Sequence, residues 1–265
     1  MPRVNRTEEQ LEARRKDPDF VESLDRGLRV IEAFGRGPGP TTLSDIAKAA
    51  DLSRATARRI LITLQRCGYV RGDGKYFELC PSVLRLASGY LSSNQIVSVL
   101  QPVMDEVAAE AREVCSLAIA DGDEAVFIAR ASPARVFSGG IDVGYRLPLF
   151  CTSVGRVLLG GYDDDALRDR LDAMEIEKQT EFTVTDRRSL FETIVADRER
   201  GYSLADQEAE DGFRSLSVPV RRYDDRIVAA MNIGGHVDRL STTDLLDRFL
   251  PILKKAAGSV SRQLV

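Results

Sequence analysis

The chain has 265 residues, 43% hydrophobic and 29% charged, with four cysteines, no tryptophan and a formal net charge of −4, an ordinary globular composition with length for one or two domains and a sizeable core. The acidic total excludes wholesale coating of nucleic acid, yet residues 1–80 carry a net +3 and the remainder −7, so a basic head is joined to an acidic body. The cysteines (Cys67, Cys80, Cys115, Cys151) lack any C-x-x-C, which fits reduced thiols in a cytoplasm, and neither a signal-peptide core nor an 18-residue apolar run is present, so cytoplasmic localisation without a membrane span is expected.

Residues 1–19 read as a flexible charged arm. From Ser23, "SLDRGLRVIEAFG" places Leu24, Leu28, Ile31 and Phe34 on one helical face, with Ser23 as its cap. "GRGPGP" breaks the chain. "TTLSDIAKAADLS" is a short helix with Thr42 at its head and Leu43, Ile46, Ala47 and Ala50 turned inward. After the tight turn "ADLS", Ser53 caps a third helix over residues 53–67, which buries Ala57, Ile60, Leu61 and Leu64 and stops at Gly68. "YVRGDGKYFELC" is a hairpin with a Gly-Asp-Gly tip. Three helices followed by a hairpin is the order of a winged helix-turn-helix domain, here spanning residues 20–80.

The third helix contains arginines and no acid: "LSRATARRILITLQRCGYV". Its outward positions include Arg54, Ala55, Arg58 and Arg59. In helix-turn-helix geometry they face the major groove, where arginine bonds guanine or clamps phosphate. Ser53, Thr56 and Thr42 supply hydroxyls, and Arg71 and Lys75 on the hairpin are candidate wing contacts. The partner this implies is double-stranded DNA.

"PSVLRLASGYLSS" (81–93) reads as a linker helix, and a helix offset by Pro102 opens a second domain over residues 94–265. "CSLAIADGDEAVFIARA" is a strand pair around a turn; "YRLPLFCTSVGRVLLGG" runs from a strand end into a helix; "DDDALRDRLDAM" and "DRRSLFETIVADRERGY" are amphipathic helices; "FRSLSVPVRRYDDRIVAAMNIGG" is a hairpin. A final helix packs Leu245, Leu246, Phe249, Leu253 and Ala256. The order implies an α+β domain, an antiparallel sheet flanked by helices.

In "FCTSVGRVLLG", Cys151, Thr152 and Ser153 precede a helix start, which is a carboxylate-binding arrangement, and Arg156 or Arg146 could clamp the acid. An equally simple reading is a Thr or Ser cap serving its own helix, with Gly155 permitting close packing. Asn232 sits in an apolar strand, where its amide needs a partner from protein or ligand.

The wording "SLDRGLRVIEAF", "TTLSDIAKAADLSRATARRILITLQRCGYV", "LPLFCTSVGRVLLG" and "GYSLADQEAEDGFRSLSVPV" resembles the IclR family of bacterial transcriptional regulators, in its branch controlling aromatic catabolism (protocatechuate and 4-hydroxybenzoate). The resemblance runs from about Phe20 to the C-terminus. It implies a GAF-like effector domain and a homodimer or dimer of dimers. The same resemblance implies an effector cavity drawing on the Cys151–Arg156 loop, Asp206 (with Gln207 and Glu208 nearby), Ser215 and Asn232. Phe137, Phe150 and Met231 are candidates to pack a ring. Many members carry His-Ala-Thr where this chain has Cys151-Thr152-Ser153, which separates its pocket chemistry from that of glyoxylate-sensing members. A small carboxylic acid, aromatic or a ring-cleavage product, is the expected effector; regulation of glyoxylate or acetate metabolism is the alternative.

The rival class is an enzyme on a small acid, for which Cys151 and His236, the lone histidine, are the sole nucleophile–base pair. No metal cluster or nucleotide loop is legible, so no cofactor is expected.

Overall fold

A computed structural model describes residues 18–34, 39–93, 95–133 and 142–264. The expected arm up to residue 17, most of "GRGPGP" and Phe137 lie outside them. The chain divides into two compact units, parted after Ser93.

The first unit contains α1 (Glu22–Glu32), α2 (Leu43–Ala49), α3 (Arg54–Arg66), the hairpin β2 (Val70–Gly72) and β3 (Tyr76–Leu79), and, after a single 3-10 turn, α4 (Leu84–Ser93). A two-residue strand ahead of α2, β1 (Thr41–Thr42), completes a three-stranded sheet in the order β1-β3-β2. Thr42 and Ser53 cap their helices, accepting from Asp45 N and Thr56 N. The turn between α2 and α3 passes through Asp51 at φ +54°, a left-handed conformation that a short polar side chain tolerates. Val30, Ala33, Phe34, Ile46, Leu61, Val70 and Phe77 form the core.

α1 departs from expectation. Val21 takes the cap position without a side-chain bond, so Ser23 lies inside the helix. Val30, Ala33 and Phe34 are buried, whereas Leu24 and Leu28 are 62% and 47% exposed. The apolar arc of this helix is broad, and its Val30–Phe34 edge faces the domain while its Leu24–Leu28 edge does not.

The second unit is a six-stranded antiparallel sheet between helical layers, in the order β6-β5-β4-β9-β8-β7. Its strands are β4 (Cys115–Asp121), β5 (Glu124–Ala131), β6 (Arg146–Pro148), β7 (Ser203–Asp206), β8 (Phe213–Arg221) and β9 (Ile227–His236). Helix α5 (Gln95–Ala111) precedes the sheet and contains Pro102. Between β6 and β7 come α6 (Ser153–Leu159), α7 (Asp164–Ala173) and α8 (Arg187–Arg200); a π-helical turn (Asp244–Phe249) leads into α9 (Leu250–Ser259). Leu100, Met104, Leu245, Phe249 and Leu253 pack one sheet face. Val154, Leu159, Leu167, Leu171, Leu190 and Ile194 pack the other. The alternation along β8 explains the division: Leu216 and Val218 belong to the first cluster, while Ser217 faces α6. The edge strand β7 was not legible in "SLAD", which is too short for a two-residue period to show. The class is α+β with a winged helix-turn-helix unit, as the element order implied.

Candidate functional site

Two places concentrate chemistry. On the first unit, Arg54, Ala55, Arg58 and Arg59 are all exposed along α3. The three arginines make no hydrogen bond or ion pair among the described residues. The capping hydroxyls are already engaged: Ser53 Oγ lies 2.9 Å from Thr56 Oγ1, and Thr42 Oγ1 donates to Asp45 at 2.6 Å. On the wing, Arg71 pairs with Glu78 at 2.9 Å, an exposed bond that phosphate could replace. Lys75 sits 4.9 Å above the Tyr76 ring at the tip. The surface is therefore a basic helix with uncommitted guanidinium groups, beside a charge-balanced hairpin that carries Arg71 and Lys75.

On the second unit, a cavity of about 30 Å³ lies between the sheet and α6, lined by Phe127, Leu147, Cys151, Thr152, Val154, Ala205, Glu208, Ala209, Phe213, Ser215 and Asn232. α6 is short and every residue in it is buried, because it runs against the middle of the sheet. Gly155 lets α6 fold back against the segment that precedes it: a Cβ there would overlap the Leu149 backbone. The Thr152 hydroxyl caps the helix, accepting from Gly155 N at 3.1 Å and donating to the Pro148 carbonyl at 2.9 Å.

Behind the cavity wall Arg156, 2% exposed, is fully committed. Its Nε donates to the Phe150 carbonyl at 3.0 Å, and its two terminal nitrogens grip Glu208 at 2.7 and 2.5 Å. Thr183 and Thr180 hold the same segment, donating to the Glu208 and Gln207 carbonyls at 2.7 Å each. Ser153 Oγ lies 2.7 Å from both Ser215 Oγ and Ser217 Oγ, forming a buried hydroxyl chain. Burial pushes the Cys151 thiol up to about 12, with Arg156 opposing and Glu208 reinforcing the rise.

Cys151, Thr152, Ser215 and Asn232 thus meet at one cavity, with Ser153, Gly155 and Arg156 directly behind it. Two expected residues do not join them. Arg146 is on the edge strand β6, bound to Asp121 and Glu124 at 2.7 and 2.6 Å. Asp206 pairs with Arg214 at 3.1 Å. Phe150 and Met231 are core, outside the lining. Glu208, flagged only as a neighbour, is central, and Phe127, Phe213, Thr180 and Thr183 were not singled out. Phenylalanines in strands look like plain core, and threonines in a loop carry no periodic signal. Cys151 and His236 are not brought together: the thiol is buried, while His236 is 60% exposed at the end of β9 with Nδ1 3.2 Å from Asp238. Among the described residues no cluster of three or more His, Cys, Asp or Glu could hold a metal ion, and no helix is long and apolar enough to cross a membrane.

A basic recognition helix on one unit and a buried, partly polar cavity on the other define a DNA-binding regulator with a sensory domain. Residues 23–74 match the IclR helix-turn-helix domain and residues 88–262 the bacterial transcriptional regulator IclR C-terminal domain. The chain belongs to the IclR family of transcriptional regulators; both family domains and its relatives are regulators of transcription, not enzymes. It is 40% identical over 249 residues to the Pca regulon regulatory protein of Pseudomonas putida, covering 94% of this chain and 86% of that one. A crystal structure from Rhodococcus sp. RHA1 superposes with a TM-score of 0.80 at 42% identity, covering 92% and 98% of the two chains. An IclR homologue from Microbacterium hydrocarbonoxydans, solved in complex with 4-hydroxybenzoate, superposes with a TM-score of 0.74 at 26% identity, covering 90% and 97%.

Proposed function

We propose that this regulator binds its operator through Arg54, Arg58 and Arg59 on α3, with Arg71 and Lys75 on the wing, and takes an aromatic carboxylic acid into the cavity beneath α6. The observation that carries the effector reading is the cavity itself, in which two phenyl rings (Phe127, Phe213) meet the unpaired Asn232 amide in front of a buried arginine. The Microbacterium homologue's 4-hydroxybenzoate complex supports the same ligand class. At about 30 Å³ the cavity holds no more than a water, so a ring enters only as the β7–β8 connection around Glu208 gives way. The ligand's carboxylate then takes the place of Glu208 on Arg156 while the Glu208 carboxylate swings out to solvent with that connection, so no buried charge is left unpaired.

Residues 20–80 act as the DNA-binding module, 81–93 as the linker and 94–265 as the effector and oligomerisation domain, in a cytoplasmic homodimer or dimer of dimers. The apolar side chains left exposed on α1 and α4 (Leu24, Leu28, Leu84, Leu86 and Tyr90) support self-association. Effector binding biases one arrangement of the paired domains and so the spacing of the recognition helices.

Gel shifts on the DNA upstream of the protein's own gene, with calorimetric titration of benzoate, hydroxybenzoates, protocatechuate and β-ketoadipate, test the reading. Arg58→Ala or Arg59→Ala is expected to abolish operator binding while effector affinity stays within about tenfold. Equal loss of both activities contradicts the two-domain division, and absence of heat with every acid contradicts the effector class.

A further inference from the structure

The cavity contains one group that the fold leaves unserved. Asn232 lies in the middle of β9, opposite Ser217 on β8 and Ser116 on β4, and is 5% exposed. Its Oδ1 is buried without a hydrogen-bond partner, and its amide nitrogen makes no hydrogen bond among the described residues. The neighbouring hydroxyls do not relieve it: Ser215 and Ser217 each turn to Ser153, and no hydroxyl among the described residues bonds the amide. A buried primary amide without partners destabilises a protein, and Asn at this central strand position adds no packing that an aliphatic side chain would lack.

We infer that Asn232 is the specificity residue of the cavity, selecting acids that carry a hydroxyl group over the unsubstituted ring. The inference rests on the effector reading above. Asn232 lines the cavity, so a bound molecule there is placed to supply the partner that the described residues do not. A hydroxyl both donates and accepts, so it satisfies the amide whichever of its two ends points inward. A carboxylate only accepts and would leave the amide oxygen without a donor; the ligand's acid therefore belongs at Arg156, in the place Glu208 vacates, and its hydroxyl at Asn232. An acid without the hydroxyl leaves the amide unpaired in the complex, and sites of this kind reject such analogues strongly.

The test uses the full-length protein, calorimetry with benzoate, 3-hydroxybenzoate and 4-hydroxybenzoate, and thermal melting without ligand. Wild type is expected to bind the better hydroxybenzoate about 30-fold more tightly than benzoate. Asn232→Leu is expected to reduce that ratio below about threefold while raising the ligand-free melting temperature by about 2–4 °C, because an unpaired buried amide is removed. Asn232→Ser, which keeps a donor–acceptor hydroxyl, retains the preference; Asn232→Ala provides the same comparison as leucine should that variant fail to fold. A structural amide gives the opposite sign, a lower melting temperature with the ratio intact, and overturns the inference. So does equal binding of benzoate and hydroxybenzoates by wild type, which leaves the effector reading standing. Binding of none of the three acids overturns the inference, and the effector reading falls with it only if protocatechuate and β-ketoadipate also give no heat.

Discussion

Burial determines what Cys151 can do. Its thiol is fully buried and pushed up to about 12, and only a thiolate attacks electrophiles. At pH 8 the side chain is a protonated, compact apolar filler beside Thr152. Native full-length protein treated with iodoacetamide at pH 8 is expected to be alkylated at exposed Cys67 and to remain unmodified at Cys115 and Cys151, as read by peptide mass spectrometry. Labelling of Cys151 at the rate of Cys67 would show that the cavity wall opens freely. The residue types at this wall were legible in the sequence, because Cys151 to Arg156 form one continuous segment and Ser215 and Asn232 stand out as polar positions in apolar strands. The partners were not. Nothing local says that Arg156 holds Glu208, 52 positions away, whereas Arg146 holds Asp121 and Glu124; those pairings exist only once the sheet order is set.

Elements were easier to read than faces. α3 was visible from its cap, its buried spacing and Gly68, which adopts φ +77° just beyond its end. α1 was visible as a helix but not in its orientation, because periodicity shows that an apolar arc exists without showing which edge of it the neighbouring elements cover. α6 illustrates the same limit from inside the core: with every residue buried it has no polar face to mark its rotation. Its Gly155 is the position where sequence and packing converge, since the Leu149 backbone occupies the space a side chain would need. Gly155→Ala would gain about 1 kcal/mol from helix propensity, but the overlap must then be relieved by moving α6 away from the Leu149 segment that precedes it. The net expectation is a loss of about 2–4 kcal/mol. Differential scanning calorimetry of the variant checks it; a melting temperature equal to or above wild type would mean that α6 does not lie so close to the chain before it.

At the scale of the molecule, the uneven charge along the chain assigns the two tasks. A net +3 over residues 1–80 and −7 over the rest places counterion-release binding on the first unit and leaves the second to repel DNA rather than coat it. Coupling between them is then a free energy, and it works in both directions. If an aromatic acid changes operator affinity by some factor, operator DNA must change acid affinity by the same factor, typically between about 5 and 150. Fluorescence anisotropy with labelled operator, with and without saturating acid, gives the first factor; calorimetric titration of acid into free protein and into the protein–operator complex gives the second. The two are expected to agree at each salt concentration, even as the absolute operator affinity falls steeply with added salt through the phosphate contacts. Agreement holds whether the acid releases repression or promotes activation, because the sign is carried by the factor itself. A factor of one in both measurements, with acid bound and operator bound, would show two independent sites on one chain and would remove the effector from the control of DNA binding.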